Sequence, residues 1–598
     1  MFKILKSVVH LGSKPVNRCS AHPPALPVFY STFVPQEFQF ESSDGESGTL
    51  IHRFSRHIAL TKRDFSDPTK YNFKYSSFYP VYNPDEFLRQ LADISSHDIG
   101  KLISFTSDFR GKSDPRLFTD VVNALDEECE SRVEQASFKE LVGMLHGFMY
   151  LIPNKISKLK TYRKAMPRLV TLFQSNSNEK DFTTVLFFLG LWKQNAEGSK
   201  LLDQFLQTHL DQFLDEKMEL MDFVLLANAS YKTSVRIRSE LFFDRLIGSI
   251  CSFEESDSAL FVTLIKCARM NRIWSEEIME KIRDMVQNHG KGFDFRGLSH
   301  LFAYIADNLV KDDALNRLFL AECSKHIERE IKKETTGSIP QHFRAKDLST
   351  FLWSCSTLSI PLEDLDFDLN VLMDEIFRKI DNNEYRFNPD ILVDTCLSLW
   401  IMNHISVDLL ASIFGNRQFT AYFRKDRVKV ASRRDLLLAC AEIERPEAFK
   451  LISRLERPNA FQLSRQAPDY LVKNRFELQR VKSGVENIKE RLQINNVAYN
   501  APIKYLNIAG LLLKAHDGKM INIDVLHEGF HLSDGQTPTG LMGLKTRLLN
   551  KMNVETIMLI PKQMQSDEQL VQAVEEAILS VTQSGITKQT PGEMVRSN

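Results

Sequence analysis

The stretch "MINIDVLHEGFHLSDG", residues 520–535, sets Asp524 between Ile523 and Val525 and follows it with His527, Glu528 and His531. Carboxylates and imidazoles at this spacing are residue types that hold a divalent metal or move protons near neutral pH. An aspartate inside an apolar run also carries a cost, because a buried carboxylate needs a cation, a metal or hydrogen-bond donors to offset lost hydration. Three readings follow: a catalytic or metal cluster, a binding edge, or a strand running into a polar loop. Strand alternation puts Ile521, Ile523 and Val525 on one face and Asn522, Asp524 and Leu526 on the other. Asp524 can then face a polar groove or accept Arg547 from a downstream helix, and a structural pair with a lysine or arginine stands beside catalysis and a polar contact to RNA or metal.

The elements that must position these residues are legible around them. "YLNIAGLLLKA" and "KMINIDVL" are short apolar runs on either side of "HDGK", whose Asp-Gly is a hairpin turn signal. A polar loop over about 527–540 leads to "LMGLKTRLLNKM", a helix bearing Lys545, Arg547 and Lys551. "VETIMLIP" reads as a buried strand ended by Pro561, and "SDEQLVQAVEEAILSV" opens a helix with Ser566 and Gln569 in capping-box positions. The order β-β-α-β-α over 503–582 predicts a small α/β domain, with 583–598 a disordered tail.

Ahead of it, residues 85–445 show apolar residues at helical spacing, and 446–500 read as a mixed-charge helical connector. Similar helices begin at 181, 221, 258, 296, 346 and 390, each followed by a second helix, so the starts lie 37 to 50 residues apart. That period predicts a solenoid of at least six helix pairs, in which stacking supplies the core and leaves an extended binding surface. Trp192, Trp274, Trp353 and Trp400 fall inside these units and read as packing residues. Two acid-poor stretches stand out. "PNKISKLKTYRKAMPR" carries Lys155, Lys158, Lys160, Arg163, Lys164 and Arg168, and "FRKDRVKVASRR" carries Arg424, Lys425, Arg427, Lys429, Arg433 and Arg434. Such clusters neutralise phosphates, with Tyr162 and Tyr422 or Phe423 near enough to stack on a base, although each run also fits a solvated helix face.

Composition excludes several classes. The 598 residues are 43% hydrophobic and 26% charged with a formal net charge of −1, so no global field draws the protein to polyanions or anionic membrane. The eight cysteines form no CxxC or CxC pair and read as reduced core residues. No apolar run reaches the ~18 residues of a membrane span. P-loop, strand-linked GxGxxG, HExxH, GxSxG and kinase catalytic-loop signatures are all missing. Residues 1–35 hold Lys3, Lys6, Lys14 and Arg18, several serines and no acid, the composition of a mitochondrial transit peptide, and 36–84 read as irregular.

From about 506 to 581 the chain resembles the RAP domain, the C-terminal module of the mitochondrial FAST-kinase-domain family, of apicomplexan organellar proteins and of octotricopeptide-repeat organellar proteins. The resemblance is carried by "INIDVLHEGFH", "GLKTRLLNKM" and "VETIMLIP" and covers about an eighth of the chain. The chain departs from the usual pattern by following its strand aspartate with Val525 and Leu526 rather than Gly and Pro, and by lacking a tryptophan after Pro561. The resemblance implies a restriction-endonuclease-like module, residence in an organelle and RNA binding in transcript processing, stability or translation, or in ribosome biogenesis.

A nuclease of that fold needs a carboxylate, then an acid-x-Lys triplet on the next strand, so that two acids hold a metal and the lysine polarises water. Leu526 stands at the triplet position, and a site could be assembled only from the migrated set Asp524, Glu528 and Lys545. The expectation is therefore a mostly α protein: an α-solenoid followed by a small C-terminal α/β RAP domain, in the mitochondrial matrix. It binds organellar mRNA or rRNA through the two basic stretches and Lys545, Arg547 and Lys551, without catalysis, cofactor or small-molecule substrate. The alternatives are a magnesium-dependent endoribonuclease and a structural or assembly factor of the mitochondrial ribosome.

Overall fold

The computed structural model describes residues 45–58, 89, 91–106, 115–175, 178–193, 195–214, 218–254, 257–335, 344–364, 368–386, 388–415, 428–452, 462, 465–560 and 566–583. The expected transit peptide, most of the 36–84 segment and nearly all of the tail lie outside these residues, and where 36–84 is described it corrects the expectation of irregular structure, since Gly45–His57 is a helix. The described residues fall into two compact units. One runs from Ser55 to Asp181, and the other holds 45–54 and everything from Phe182 onward.

After α1 (Gly45–His57), the first unit contains α2 (Ser96–Thr106), α3 (Pro115–Arg132), α4 (Phe138–Leu151) and α5 (Lys160–Ser175). A complete capping box starts α4, with Ser137 accepting from the Glu140 amide and Glu140 accepting from the Ser137 amide. Helices α2 and α4 cross at glycines: a Cβ on Gly100 would stand 2.5 Å from the Gly143 carbonyl oxygen, so the backbones meet where only glycine fits. The Asp126 carboxylate of α3 accepts from the Lys160 and Thr161 amides, both at 2.9 Å, and so pins the start of the basic helix α5.

The second unit is a solenoid of helix pairs. Its helices are α6 (Glu179–Gly190), α7 (Ala196–Phe213), α8 (Leu220–Thr233), α9 (Glu240–Cys251), α10 (Ser258–Asn271), α11 (Glu276–His289), α12 (Phe295–Asp307), α13 (Asp313–Thr335), α14 (Ala345–Thr357), α15 (Leu369–Asp381), α16 (Pro389–Ile401), α17 (Val407–Phe414), α18 (Val428–Glu444) and α19 (Pro446–Ile452). The first helices of successive pairs stack in one row, α8 on α10 on α12 on α14 on α16 on α18, while α9, α11 and α13 form a second row. The first-row helices are buried almost all round: every residue from Leu298 to Ala306 of α12 is buried. Each therefore reads as a nearly continuous apolar run and supplies the core of two neighbours.

A local signature recurs where a first-row helix ends. Ser234, Arg272, Leu309, Ser359 and Asn403 all adopt left-handed backbone at φ between 53° and 66°. The following amide in each case bonds a carbonyl five residues back, Val235 to Ser230, Ile273 to Ala268, Val310 to Ile305, Ile360 to Cys355 and His404 to Leu399, at 2.8–3.2 Å. These are Schellman caps, with an apolar residue tucked in behind four of the five. Six of the seven described cysteines are buried and all seven are free, and Trp192 and Trp400 are core residues. Trp274 departs from expectation: it is 48% exposed on the turn after α10, stacked against Tyr304. Among the described residues, no helix is long and apolar enough to cross a membrane.

The C-terminal module adds α20 (Phe476–Ile488), β1 (Ile494–Asn500), β2 (Gly510–Ala515), β3 (Met520–Val525), α21 (Gly540–Lys551), β4 (Glu555–Leu559) and α22 (Asp567–Gln583). Its sheet runs β1-β2-β3-β4, with β1/β2 and β2/β3 antiparallel and β3/β4 parallel. The expected hairpin is present, with Gly518 at φ 85° in its turn. The module starts earlier than residue 503, because α20 and β1 share its core: Val481, Val485 and Ile494 pack with Ile521, Ile523, Leu570 and Val574. Strand β1 is hidden in the sequence because a register shift between Ile494 and Asn496 breaks its alternation.

Candidate functional site

Strand β3 is buried on both faces, and its two faces are chemically different. Ile521 and Ile523 enter the apolar core with α20 and α22. The opposite face carries Asn522 and Asp524, both at most 1% exposed. Register sets Asn500 opposite Gly510, and Leu511 opposite Ile523, which puts Gly510 beside Asp524 in one cross-strand row. Gly510 supplies room: a Cβ there would meet Asp524 Oδ1 at 2.5 Å and Asn522 Oδ1 at 3.0 Å.

Into this row α21 projects Lys545, 1% exposed, whose Nζ donates to Asp524 Oδ1 at 2.5 Å. Asn522 Nδ2 donates to Asp524 Oδ2 at 2.8 Å. Burial lowers the Lys545 ammonium from its usual pKa, and the Asp524 charge works in the opposite direction. Asn500, 1% exposed, makes no side-chain hydrogen bond through either amide atom, nor does Asn522 through Oδ1. Arg475, just before α20, donates to the Ala509 carbonyl at 3.0 Å and lies 4.5 Å over the Phe530 ring. The result is a buried polar box with one fully buried ion pair.

The loop after β3 does not complete a metal site. His527 packs edge-on against Phe530 at 4.4 Å, and burial lowers its pKa. His531 has Nδ1 2.6 Å from the Leu532 carbonyl oxygen. Glu528 is exposed. Among the described residues, Asp524 belongs to no group of three carboxylate, histidine or cysteine side chains close enough to share an ion. The candidate set Asp524, Glu528 and Lys545 thus resolves into a pair plus a solvent-facing glutamate.

The loop and α21 instead dock on the turns of the solenoid. The Ser533 amide donates to the Leu309 carbonyl at 2.8 Å, the Lys311 amide donates to Ser533 Oγ at 2.9 Å, and Ser359 Oγ donates to the Pro538 carbonyl at 2.6 Å. Gly540 lies so close to the Ser356 carbonyl that no side chain fits there. Arg547 donates to the Trp400 and Ile401 carbonyls at 2.6 and 3.1 Å and to Glu444 at 2.8 Å, while Trp400 Nε1 donates to Glu444 at 2.5 Å. Carbonyls at a helix C-terminus lack intrahelical donors and carry partial negative charge, so a guanidinium is their natural cap. The pairing of Arg547 with Asp524 weighed above is not formed: Arg547 pairs with Glu444 instead. Lys545, expected on RNA, is enclosed, and Lys551 is exposed at the end of α21.

The two basic stretches fare differently. Lys155, Lys158, Lys160 and Arg163 are exposed around the start of α5, and Lys164 and Arg168 are half-buried. Lys160 stands 3.6 Å from Glu127 and Lys164 3.9 Å from Glu134. Tyr162 is fully buried, which corrects the expectation that it stacks on a base. Arg424, Lys425 and Arg427, with Tyr422 and Phe423, lie outside the described residues, and Lys429 falls in the first turn of α18. Arg433 pairs with Asp394 at 2.5 Å and Arg434 with Asp435 at 2.6 Å.

A second set of cations has no counterpart in those stretches. Lys232, in the last turn of α8, is held well below its usual pKa by burial first, and Lys193, Lys266, Arg296 and Lys346 push it the same way. The signal in the sequence is weak, because each helix or its turn contributes only one of the five.

No protein-family model matches the chain. It is similar to human FAST kinase domain-containing protein 5, mitochondrial, with 22% identity over 261 residues. That stretch is 41% of this chain and 31% of the relative, so the match spans about a third of the human protein's length.

Proposed function

We propose that this protein is a mitochondrial RNA-binding factor that acts on organellar transcripts, in processing, stability or translation, through binding. The observation that carries the reading is the architecture: a helix-pair solenoid with a RAP-like α/β module docked on its turns, in a chain similar to a mitochondrial FAST-kinase-domain protein. A solenoid of this kind offers a long surface, and the exposed start of α5 supplies four side chains of one sign for phosphate contact. Endonuclease chemistry finds less support, because Lys545 occupies the one strand carboxylate that would have to hold a metal.

Ultraviolet crosslinking in intact organelles, with sequencing of recovered RNA, tests the reading. Organellar transcripts are expected above a control carrying Lys155→Gln, Lys158→Gln, Lys160→Gln and Arg163→Gln together with neutralisation of the 424–434 stretch. Recovery of no RNA above background overturns it. Co-sedimentation with ribosomal subunits without RNA crosslinks would favour the assembly-factor alternative.

A further inference from the structure

The first-row helices of the solenoid end in equivalent caps, and the caps set a periodic row of side chains along one rim. In three successive turns the left-handed residue is Ser234, Arg272 and Leu309, and the next amide bonds a carbonyl five residues back. The residue after that is therefore placed alike in each turn: Arg236 after α8, Trp274 after α10 and Lys311 after α12. Neighbouring turns are tied to one another. The Ile237 amide donates to Asn271 Oδ1 at 2.8 Å, and Tyr304 Oη donates to the Ile273 carbonyl at 3.1 Å. Burial alternates along both segments and shows which side chains face outward. Val235 and Ile237 are buried while Arg236 and Arg238 are exposed, and Ile273 is buried between exposed Arg272 and Trp274.

Three cations on this rim stand without a counter-charge. Among the described residues, no carboxylate lies within ion-pair distance of Arg236, Arg238 or Arg272. The acids nearest in sequence are otherwise placed: Glu240 and Glu276 open α9 and α11, where the helix dipole favours them, and Glu277 accepts from Ser275 Oγ at 2.6 Å. At the third turn the charge is cancelled, because Lys311 pairs with Asp313 at 2.6 Å and its amide donates to Ser533 of the C-terminal module. The basic surface thus spans the turns of α8 and α10 and ends where the module docks. Trp274 lies within it, its indole 22° from parallel with the Tyr304 ring and 6.3 Å from it between centroids. Tyr304 is fully buried and Trp274 is 48% exposed, so one face of the indole rests on the core and the other is in water. A large apolar ring left in water forgoes part of the free energy of burial, and a base laid on it would recover some.

We infer that this rim, formed by Arg236, Arg238, Arg272 and Trp274, binds a short single-stranded RNA segment, with a base stacked on the outer face of the Trp274 indole and the arginines on the flanking phosphates. The inference rests on the RNA reading above and assigns it a surface. Stacked helices stand about 8–10 Å apart, so the two turns are within reach of one short strand. Single-stranded RNA answers both halves of the rim: an exposed aromatic takes any base because every base has a π-face, and guanidinium groups take phosphate oxygens in pairs of hydrogen bonds. An acidic peptide would satisfy the arginines and leave the indole without a stacking partner. The contact is sequence-tolerant, since neither stacking nor phosphate contacts read a base edge.

The test is fluorescence anisotropy of a labelled oligouridylate with the full chain, titrated against salt. All four side chains are exposed, so the variants should keep the fold, which thermal unfolding checks. Arg236→Gln/Arg238→Gln/Arg272→Gln is expected to weaken binding at least ~10-fold at low salt and to make the log–log salt dependence shallower by about 0.7 per contact removed. Trp274→Leu is expected to weaken binding at least ~5-fold with the slope unchanged, because a stacked base releases no counterion, and Trp274→Phe to recover most of that loss. A merely structural role would not split affinity from slope in this way. Unchanged affinity in both the triple variant and Trp274→Leu, with loss of binding when Lys155, Lys158, Lys160 and Arg163 are neutralised, would overturn the rim and leave the RNA function standing. Loss in the triple variant alone, with Trp274→Leu binding as the intact protein does, would overturn the base-stacking site. If the intact protein binds polyglutamate through this rim and no oligouridylate, the inference and the RNA reading both fall.

Discussion

The two faces of α21 carry the same kind of group to opposite ends. Lys545 and Arg547 are two residues apart, about 200° around the helix. The lysine goes inward to a carboxylate of its own module, and the arginine goes outward to the solenoid. The inner pair is buried at both partners, so its value lies in not leaving either charge alone. The outer pair is a quarter exposed at the arginine and gains from two helix-end carbonyls as well. One contact holds the module's own fold together and the other fixes the module to its neighbour, which is why lysine suffices for one and the guanidinium fork is needed for the other.

The largest effect is expected inside. Asp524→Ala strands a buried ammonium and should cost about 3–5 kcal/mol, with Lys545→Met in the same chain recovering most of it. Chemical denaturation followed by a probe in the module reads both, and a recovery of less than half would show that the pair has a role beyond mutual neutralisation. Arg547→Ala comes next, at about 2–4 kcal/mol for leaving buried Glu444 without its cation. Its distinguishing mark is local: hydrogen exchange of the Ser533 amide should speed up while amides of β2 and β3 stay protected. If β2 and β3 also open, the two faces of α21 are not separable. Gly510→Ala presses a methyl on Asp524 and should cost about 1–3 kcal/mol in the inner site alone, checked by the same denaturation. Smallest is the α5 set, Lys155→Gln, Lys158→Gln, Lys160→Gln and Arg163→Gln, which should move thermal stability by under about 0.5 kcal/mol because these side chains are exposed. A larger loss would make them structural, like Lys545.

Much of the architecture was legible because its causes are local. The first-row helices, "DILVDTCLSLWIMN" among them, are apolar all round and recur at a near-constant interval, which only stacking explains. The hairpin of β2 and β3 announced itself through Asp517-Gly518. Strand β1 did not, since a register shift broke its period and its last buried position is an asparagine, Asn500. The candidate site was legible as a question: Asp524 was visibly out of place in an apolar strand. Its partner was not, because Lys545 and Arg547 stand equally near in sequence and only the phase of α21 against β3 separates them.

The sequence by itself determined the helical period, the solenoid, the α/β module and the need of Asp524 for a cation, all of which follow from residue patterns a few positions long. Tertiary structure alone decided which cation answers and that Arg547 crosses to Glu444, 103 residues away. The physical reason is range. Periodicity and capping act within a turn or two of backbone, whereas charge pairing is set by distance in space, and distance in space exists only once the helices have stacked.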